Sequence, residues 1–399
     1  MDGRRTLRDA IIRAAVKKLC ALVTMSIFTV LDARAVILLD TGDPSANITA
    51  PTGTLANSGW QFEGDWGNFL GTPIAPHFFI SAAHIGQAGS SFVFQGSTYT
   101  LVRSFGQTNS DLLIWQVNET FSSFAPLYTK PDEIGKHLVV IGRGTQRGDG
   151  IFLDGALRGW TWGASDGVRR WGENDVADLV PYNGHDLVYA TFDQGAQPNE
   201  SHLSTGDSGG AIFINDGGVW KLAGISFSVD DLYTAPSSEA GFDAAIFDAR
   251  GYYTSDGGNP PTFTQITGAN PVPTGFYASR ISSELRWIYS VIDPTGDLDQ
   301  DGIPNLLEYA LNLDPLTPDV AGLPRVGREA NFVTLTYTKV MTATDINYAV
   351  EQSNNLTSWT TATTQDEIVS TNGNIQTIKA KIDLGTATHL FVRLRVTRP

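Results

Sequence analysis

The pentapeptide Gly206-Asp207-Ser208-Gly209-Gly210 carries more structural information than any other segment of this 399-residue chain. Short strings of Gly, Asp and Ser are most often turns. A reactive serine would give this one a second meaning, because its hydroxyl needs a base beside it and a site that stabilises negative charge. Gly206 permits a turn in which the amides of Gly206 and Ser208 converge on one oxyanion. The pentapeptide therefore predicts either a plain turn or a nucleophile loop.

Two other segments supply the partners that a reactive serine needs. Ser81-Ala82-Ala83-His84-Ile85 follows the apolar run Phe78-Phe79-Ile80, which places His84 at the end of a predicted strand as the base. Asp111 opens the apolar run Leu112-Leu113-Ile114-Trp115. A carboxylate at the start of a strand can orient an imidazole and stabilise its charged form. A histidine after a strand or an aspartate before one is ordinary by itself, so the combination carries the hypothesis.

These motifs, in the order His84, Asp111, Ser208, resemble those of trypsin-like serine proteases with the chymotrypsin fold. Three further runs strengthen the resemblance, which extends over much of residues 60–292: Val140-Ile141-Gly142-Arg143-Gly144, Trp220-Lys221-Leu222-Ala223-Gly224-Ile225-Ser226 and Gly275-Phe276-Tyr277-Ala278-Ser279-Arg280-Ile281.

The resemblance implies an all-β fold with two six-stranded antiparallel barrels and a C-terminal helix. We expect a protease domain over residues 36–293, with one barrel at about 50–125 and the other at about 126–292. The implied reaction is acyl transfer on a polypeptide substrate without a catalytic cofactor. His84 would serve as base, Asp111 would orient it, and the amides of Gly206 and Ser208 would form the oxyanion hole.

The motifs say less about which substrate side chain is preferred than about the reaction. His202 stands six residues before Ser208, where enzymes of this family that prefer basic residues carry an acid, so such a preference is disfavoured. His202 either favours an acidic or polar substrate side chain, since a protonated imidazole would pair with a carboxylate, or merely lines the loop. The resemblance also implies that Ser226, Phe227 and Ser228 pair with the substrate main chain in β fashion.

The amino terminus resembles an export signal. Basic residues precede the apolar run Leu19 to Leu31, which is too short for a comfortable membrane span, and Ala33-Arg34-Ala35 matches a cleavage site. We therefore predict a signal peptide at 1–35 and an extracellular or periplasmic protein, against the alternative of an uncleaved anchor. Cys20 is the only cysteine, so the mature chain would have no disulfide.

The family's usual activating terminus, Ile-Val-Gly-Gly, is not seen in this chain, although Asp207 keeps the acid with which such a terminus pairs. Signal cleavage would free the amine of Val36, which is one candidate partner. We expect an internal cation or hydrogen-bond donor to hold Asp207 instead.

The overall charge narrows the range of partners. The net charge is −15 and becomes more negative without the basic leader, which argues against nucleic acid or an anionic membrane as partner. After the leader, no other apolar stretch approaches the length of a membrane span.

A calcium-type loop is predicted within a linker at 294–320. Its spacing matches the twelve-residue EF-hand pattern, with Gly302 at the sharp turn. It resembles the single loops of dockerin and thrombospondin type 3 repeats, and the alternative is a solvated acidic turn. The predicted oxygen ligands are Asp297, Asp299, Asp301, the Ile303 carbonyl, Asn305 and Glu308.

The last segment, 321–399, alternates apolar and polar residues and has a hairpin signal at Asn372-Gly373, which predicts a small β-sandwich. Surface attachment, partner or substrate binding, and a purely structural role all remain open for it.

Two alternatives to a protease are retained. An inactive protease fold could serve as a binding or adhesion protein, since a fold does not prove activity. An esterase could use the same three side chains.

Overall fold

The computed structural model describes residues 36–230, 233–234, 241–255 and 262–399. The predicted signal peptide, residues 1–35, lies outside the described residues. By its contacts the described chain divides into two compact units: the first contains 36–103 and 115–282, and the second contains 104–114 and 283–399. None of the helices described is long and apolar enough to cross a membrane.

Short strands separated by turns build a first closed barrel. The chain begins with β1 (Ile37–Leu38) and continues through β2 (Gly64–Trp66), β3 (Phe69–Ala75), β4 (Phe78–Ala82), β5 (Ser91–Phe94), β6 (Ser97–Gly106) and β7 (Leu112–Val117). The barrel order is β2-β3-β4-β7-β6-β5. Its interior is aromatic, with Phe79 stacked on Phe92 at 4.0 Å between ring centroids and Trp66 edge-on to Phe79 at 5.4 Å.

A second closed barrel follows. The next strands are β8 (His137–Gly142), β9 (Thr145–Leu153), β10 (Ala156–Ser165), β11 (Arg170–Tyr182), β12 (His185–Thr191), β13 (Ser201–His202), β14 (Ala211–Asp216), β15 (Val219–Val229), β16 (Tyr233–Thr234), β17 (Ala244–Ile246), β18 (Tyr253–Ser255), β19 (Phe263–Gln265) and β20 (Gly275–Arg280). The order β11-β12-β20-β15-β14-β8 closes the barrel, and its strand pairs are antiparallel. The predicted all-β fold with two six-stranded barrels is confirmed.

Apolar side chains at alternate positions of the strands fill the interior of the second barrel. Leu138 and Val140 of β8, Ile212 of β14, and Phe276 and Ala278 of β20 are all buried in one cluster, as the two-residue period of a strand requires. The remaining strands form smaller sheets, β17-β10-β9 and β16-β18-β19, and β1 pairs with β13.

The second unit contains the helices and a sandwich. Its elements are α1 (Leu285–Ile292), α2 (Asn305–Leu311), β21 (Arg325–Glu329), β22 (Phe332–Val340), β23 (Asn347–Ser353), β24 (Thr360–Thr361), β25 (Gln365–Asn372), β26 (Ile375–Asp383) and β27 (Phe391–Thr397). The two sheets, β21-β22-β26-β25 and β24-β23-β27, share a core that includes Leu335, Val350 and Ile378. The hairpin signal at Asn372-Gly373 does lie in a hairpin, with Asn372 opposite Ile375.

Candidate active site

His84 lies just beyond a rigid strand end. Phe79 and Ile80 of β4 are fully buried, and the Ser81 hydroxyl donates to the Leu70 carbonyl at 2.8 Å. These contacts anchor β4 in the barrel, whereas His84 itself is exposed two residues past the strand. The sequence pattern therefore places an imidazole at the rim of the first barrel.

The nucleophile loop lies between β13 and β14. The amide of Gly209 donates to the Ser226 carbonyl at 3.1 Å, and the Ser226 amide donates to Gly210 at 2.8 Å, so β15 holds the loop. Ser208 Oγ is 2.8 Å from His84 Nε2. This is hydrogen-bonding distance for a base that accepts the hydroxyl proton. Two side chains 124 positions apart are thus brought together as the motifs predicted.

Asp111 and the amides of Gly206 and Ser208 are the other predicted parts of the site. Asp111 directly precedes β7 and is partly buried, and its orientation of His84 stays a prediction. Gly206 adopts φ +93°, the left-handed conformation that glycine tolerates. The convergence of the Gly206 and Ser208 amides on an oxyanion also stays a prediction.

Asp207 is the buried charge of the loop, with only 1% of its surface exposed. Its Oδ1 accepts from the Gly144 amide at 2.6 Å and the Val36 amide at 3.3 Å, and its Oδ2 accepts from the Ser204 amide at 2.8 Å and hydroxyl at 3.0 Å. Burial raises the pKa of Asp207 to about 6, although these donors oppose the shift. The sequence favoured an internal donor over Val36, and the structure shows both in contact with Asp207.

His202 lies in the interior, with 0% of its surface exposed. Nδ1–H donates to the Leu203 carbonyl at 2.6 Å, and Nε2 accepts from the Thr274 hydroxyl at 3.1 Å. Desolvation lowers its pKa to about 4. The ring packs edge-on against Phe192 and Phe276. His202 is therefore neutral at physiological pH and surrounded by protein.

Phe227 of β15 packs edge-on against the imidazole of His84, with 5.9 Å between ring centroids. On either side of it, Ser226 is fully buried and Ser228 is partly buried. Pairing of these three residues with a substrate main chain stays a prediction. Phe227 belongs to a buried cluster on strands of the second barrel, with Val180, Leu187, Tyr189 and Tyr277.

Sequence reasoning missed two residues beside this cluster. Tyr182 packs on Phe227 at 5.3 Å. Asp230 accepts from the Tyr277 hydroxyl at 2.8 Å, the Tyr189 hydroxyl at 3.0 Å and the Gly275 amide at 2.6 Å. No local motif marks either residue, because their partners come from other strands: β15 carries Phe227, β12 carries Tyr189, and β20 carries Gly275 and Tyr277.

The acidic loop before α2 has the shape of a cation site. Carboxylate oxygens of Asp297, Asp299 and Asp301 lie within 4.8 Å of one another, and Gly302 adopts φ +89°. Glu308 is 1% exposed and its Oε2 has no hydrogen-bond partner in the described chain. Asn305 Oδ1 is likewise buried and unpartnered there. Buried oxygens without donors are what a calcium ion would satisfy.

Comparisons with known proteins find only weak structural similarity. No family model matches the chain, and no curated protein matches it. Among solved structures, it is similar to kallikrein-related peptidase 10, with 14% identity, 60% of this chain and 98% of the other covered, and a TM-score of 0.35. It is also similar to neuropsin, a serine protease expressed in the limbic system of mouse brain, with 13% identity, 59% and 96% covered, and a TM-score of 0.36. Identities and TM-scores this low do not support an assignment of function.

The close approach of Gly206 to Gly144 generates a test. A Cβ at Gly206 would lie 3.0 Å from Gly144 Cα, whereas Gly218, with the same φ of +93°, has nothing within 4 Å of its Cβ position. Both Gly206→Ala and Gly218→Ala should lose about 1–2 kcal/mol of unfolding free energy from backbone strain. Only Gly206→Ala should slow fluorophosphonate labelling of Ser208, by roughly tenfold to a hundredfold, because the loop must shift. Equal labelling rates would show that the approach does not position Ser208.

Proposed function

We propose that this chain is an exported serine endopeptidase that cleaves peptide bonds through an acyl-enzyme intermediate. The observation that carries the proposal is the 2.8 Å separation of His84 Nε2 and Ser208 Oγ. His84 follows a strand of the first barrel, and Ser208 precedes a strand of the second. A serine within reach of an exposed imidazole has the base that nucleophilic attack needs.

In the proposed reaction, His84 accepts the Ser208 proton as Oγ attacks the scissile carbonyl. Asp111 orients His84 and stabilises its charged form. The amides of Gly206 and Ser208 donate to the tetrahedral oxyanion, with a contribution of about 3 kcal/mol for each donor. His84 then protonates the leaving amine, and a water molecule repeats the sequence to release the acyl group.

We further propose that removal of residues 1–35 gives Asp207, in the loop that carries Ser208, a charged partner. Val36 N is 3.3 Å from Asp207 Oδ1, and the Val36 side chain is buried in the core of the second barrel. In the uncleaved chain Val36 has φ +37°, a strained conformation for a β-branched residue. Cleavage removes the preceding peptide and with it this strain. The new ammonium would then pair with the Asp207 carboxylate in a buried environment.

We also propose that the loop at Asp297 binds calcium as a structural ion. The support is the unpartnered buried oxygens of Asn305 and Glu308 beside the three aspartates. Ile303, whose carbonyl is the fourth predicted ligand, also lies in the sandwich core with Leu335 and Val350. Calcium would therefore stabilise the fold of the second unit. No ligand follows from the geometry of the sandwich itself.

The central prediction concerns Ser208. Ser208→Ala should abolish both fluorophosphonate labelling and peptide cleavage while keeping the fold, because only the nucleophile is removed. Ser45→Ala, at an exposed serine, should behave as the parent protein. Digestion of a denatured proteome and sequencing of the new termini would measure cleavage and substrate preference together. A folded parent protein that is not labelled would favour the inactive binding protein, and ester turnover without peptide cleavage would favour the esterase.

If the amine of Val36 pairs with Asp207, the reactivity of Ser208 should depend on where the amino terminus lies. A protein that begins at Val36 should react with a fluorophosphonate about a hundredfold faster than one with a single extra alanine before Val36. The reason is that the extension removes the ammonium from a buried ion pair, which costs roughly 3 kcal/mol. Equal rates for the two proteins would show that amide donors alone hold Asp207.

The calcium proposal predicts stabilisation of the second unit. With a dissociation constant of about 0.1–1 mM, as in extracellular modules, 10 mM calcium should raise the unfolding free energy by roughly 1.4–2.7 kcal/mol. Glu308→Gln should lose this increase in thermal or urea unfolding, whereas Glu329→Gln, at a half-exposed ion pair with Lys379, should keep it. An unchanged midpoint for the parent protein would contradict the site.

A further inference from the structure

A cavity of about 390 Å³ opens on the first unit and belongs to none of the sites described above. Segments distant in the sequence line it, including Trp60, Glu63, Asp65, Val93, Arg143 and Arg169. Val93 contributes an apolar wall, and Trp60 contributes an aromatic ring. The other four residues named here are ionisable, so its chemistry is governed by charge.

Two guanidinium groups converge on this cavity. Arg169 lies over the Trp60 ring, with Cζ 4.0 Å from its centroid, and its Nη1 donates to the Glu63 carbonyl at 2.7 Å. Desolvation lowers the pKa of Arg169, the charges of Glu63 and Asp65 oppose this shift, and the positive charge of Arg143 adds to it. The two cations therefore lie close enough together to act on one anionic ligand.

The carboxyl groups of the cavity do not cancel this charge. Glu63 is 5% exposed, and burial raises its pKa to about 8, so it is largely neutral at pH 7. Its Oε1 accepts from the Thr72 hydroxyl at 2.9 Å, and Oε2 has no partner among the described residues. Asp65 lies 3.4 Å from Arg143 Nη1, but its side chain is 54% exposed. Asp65, which is largely exposed, is thus the carboxyl group that competes with a ligand for Arg143.

Arg143 keeps donors available for a ligand. Its Nε donates to the Gly167 carbonyl at 2.6 Å, and its Nη1 donates to the Gly67 carbonyl at 3.1 Å. In the part of the chain that the structure describes, Nη2 has no hydrogen-bond partner. These backbone bonds fix the plane of the guanidinium while leaving one edge open. The Nη2 group can donate a charge-assisted hydrogen bond to a carboxylate.

The cavity is connected to the nucleophile loop through the backbone. Arg143 precedes Gly144, whose amide donates to Asp207 Oδ1 at 2.6 Å, and Asp207 precedes Ser208. Ser226 of β15, the strand that the resemblance implies pairs with the substrate main chain, holds the same loop through Gly209 and Gly210. The cavity thus reaches the loop through the Gly144 segment rather than through β15.

We propose that this cavity binds a substrate carboxylate on the leaving-group side of the scissile bond, with Arg143 and Arg169 as the recognising residues. The inference rests on the proposed protease function. The carboxylate has two possible sources, an acidic side chain a few residues beyond the cleaved bond or the free carboxyl terminus of a short peptide. Val93 and the Trp60 ring supply apolar surface for the methylene groups of the ligand.

The test uses quenched fluorescent peptides with one acyl sequence, taken from observed cleavage sites. One pair carries Glu or Gln at the third position after the cleaved bond, and a second pair ends there with a free carboxylate or an amide. We expect about tenfold higher kcat/KM for the carboxylate member of one pair, as for a single charge-assisted hydrogen bond. The pair that responds identifies the source. Ratios near one for both pairs would overturn the proposal.

Variants with opposite expected effects distinguish loss of carboxylate recognition from a general loss of activity. Arg143→Gln should reduce the carboxylate preference to near one, and Asp65→Asn should increase it, because Asp65 no longer competes for Arg143. Arg325→Gln in the sandwich should leave the ratio unchanged. Rates are normalised to the fraction that a fluorophosphonate labels. If both cavity variants keep the parent ratio, the arginine assignment is wrong.

A binding measurement distinguishes failure of the cavity from failure of the protease proposal. Calorimetry with Ser208→Ala would compare the peptide Ala-Ala-Glu-Ala with Ala-Ala-Gln-Ala, each carrying a C-terminal amide, and Ala-Ala-Gln with either a free carboxylate or an amide. About tenfold tighter binding of the carboxylate member of either pair supports the cavity even if the parent protein is never labelled. Equal binding within both pairs overturns the cavity proposal while leaving Ser208 chemistry unaffected.

Discussion

The loop that carries Ser208 is built around the carboxylate of Asp207. A carboxylate that is 1% exposed loses its hydration, and amide donors from Gly144, Ser204 and Val36 replace only part of it, so its pKa is about 6. Val36 and Gly144 are distant from Asp207 in the sequence, whereas Ser204 is three residues before it, and all three donors converge beside Ser208. Loss of one of these donors is therefore expected to shift the loop, and with it the 2.8 Å contact between Ser208 and His84. Pairing of one buried charge thus couples the chain near Val36 to the proposed chemistry.

Burial also decides whether His202 can recognise a substrate by charge. His202 is neutral and enclosed between Phe192 and Phe276, so its imidazole has no charge to offer a substrate at neutral pH. The aromatic ring in contact with His84 is that of Phe227, which is itself buried. The carboxylate recognition proposed above uses a different part of the protein, the cavity lined by Arg143 and Arg169. If that proposal holds, selectivity would depend on both sides of the cleaved bond.

The second unit joins a charged loop to an apolar core. Ile303, between the aspartates and α2, packs in the same cluster as Leu335 and Val350 of the two sheets. Desolvation, together with repulsion from the neighbouring aspartates, raises the pKa of Glu308 to about 7. A cation would remove this repulsion and satisfy the orphaned oxygens. Folding of the sandwich and binding of calcium are therefore expected to be linked.

Local patterns determined much of this protein from sequence alone. Strand alternation and turn residues predicted the β architecture and the hairpin at Asn372, and the spacing of His84 and Ser208 from apolar runs placed both at strand ends. These properties depend on neighbours a few residues apart. Only the tertiary structure decided that His202 is interior, that Val36 reaches Asp207, and that Arg143 and Asp65 meet at one cavity. Burial and the pairing of charges depend on residues far apart in the chain, and no local pattern encodes which of them meet.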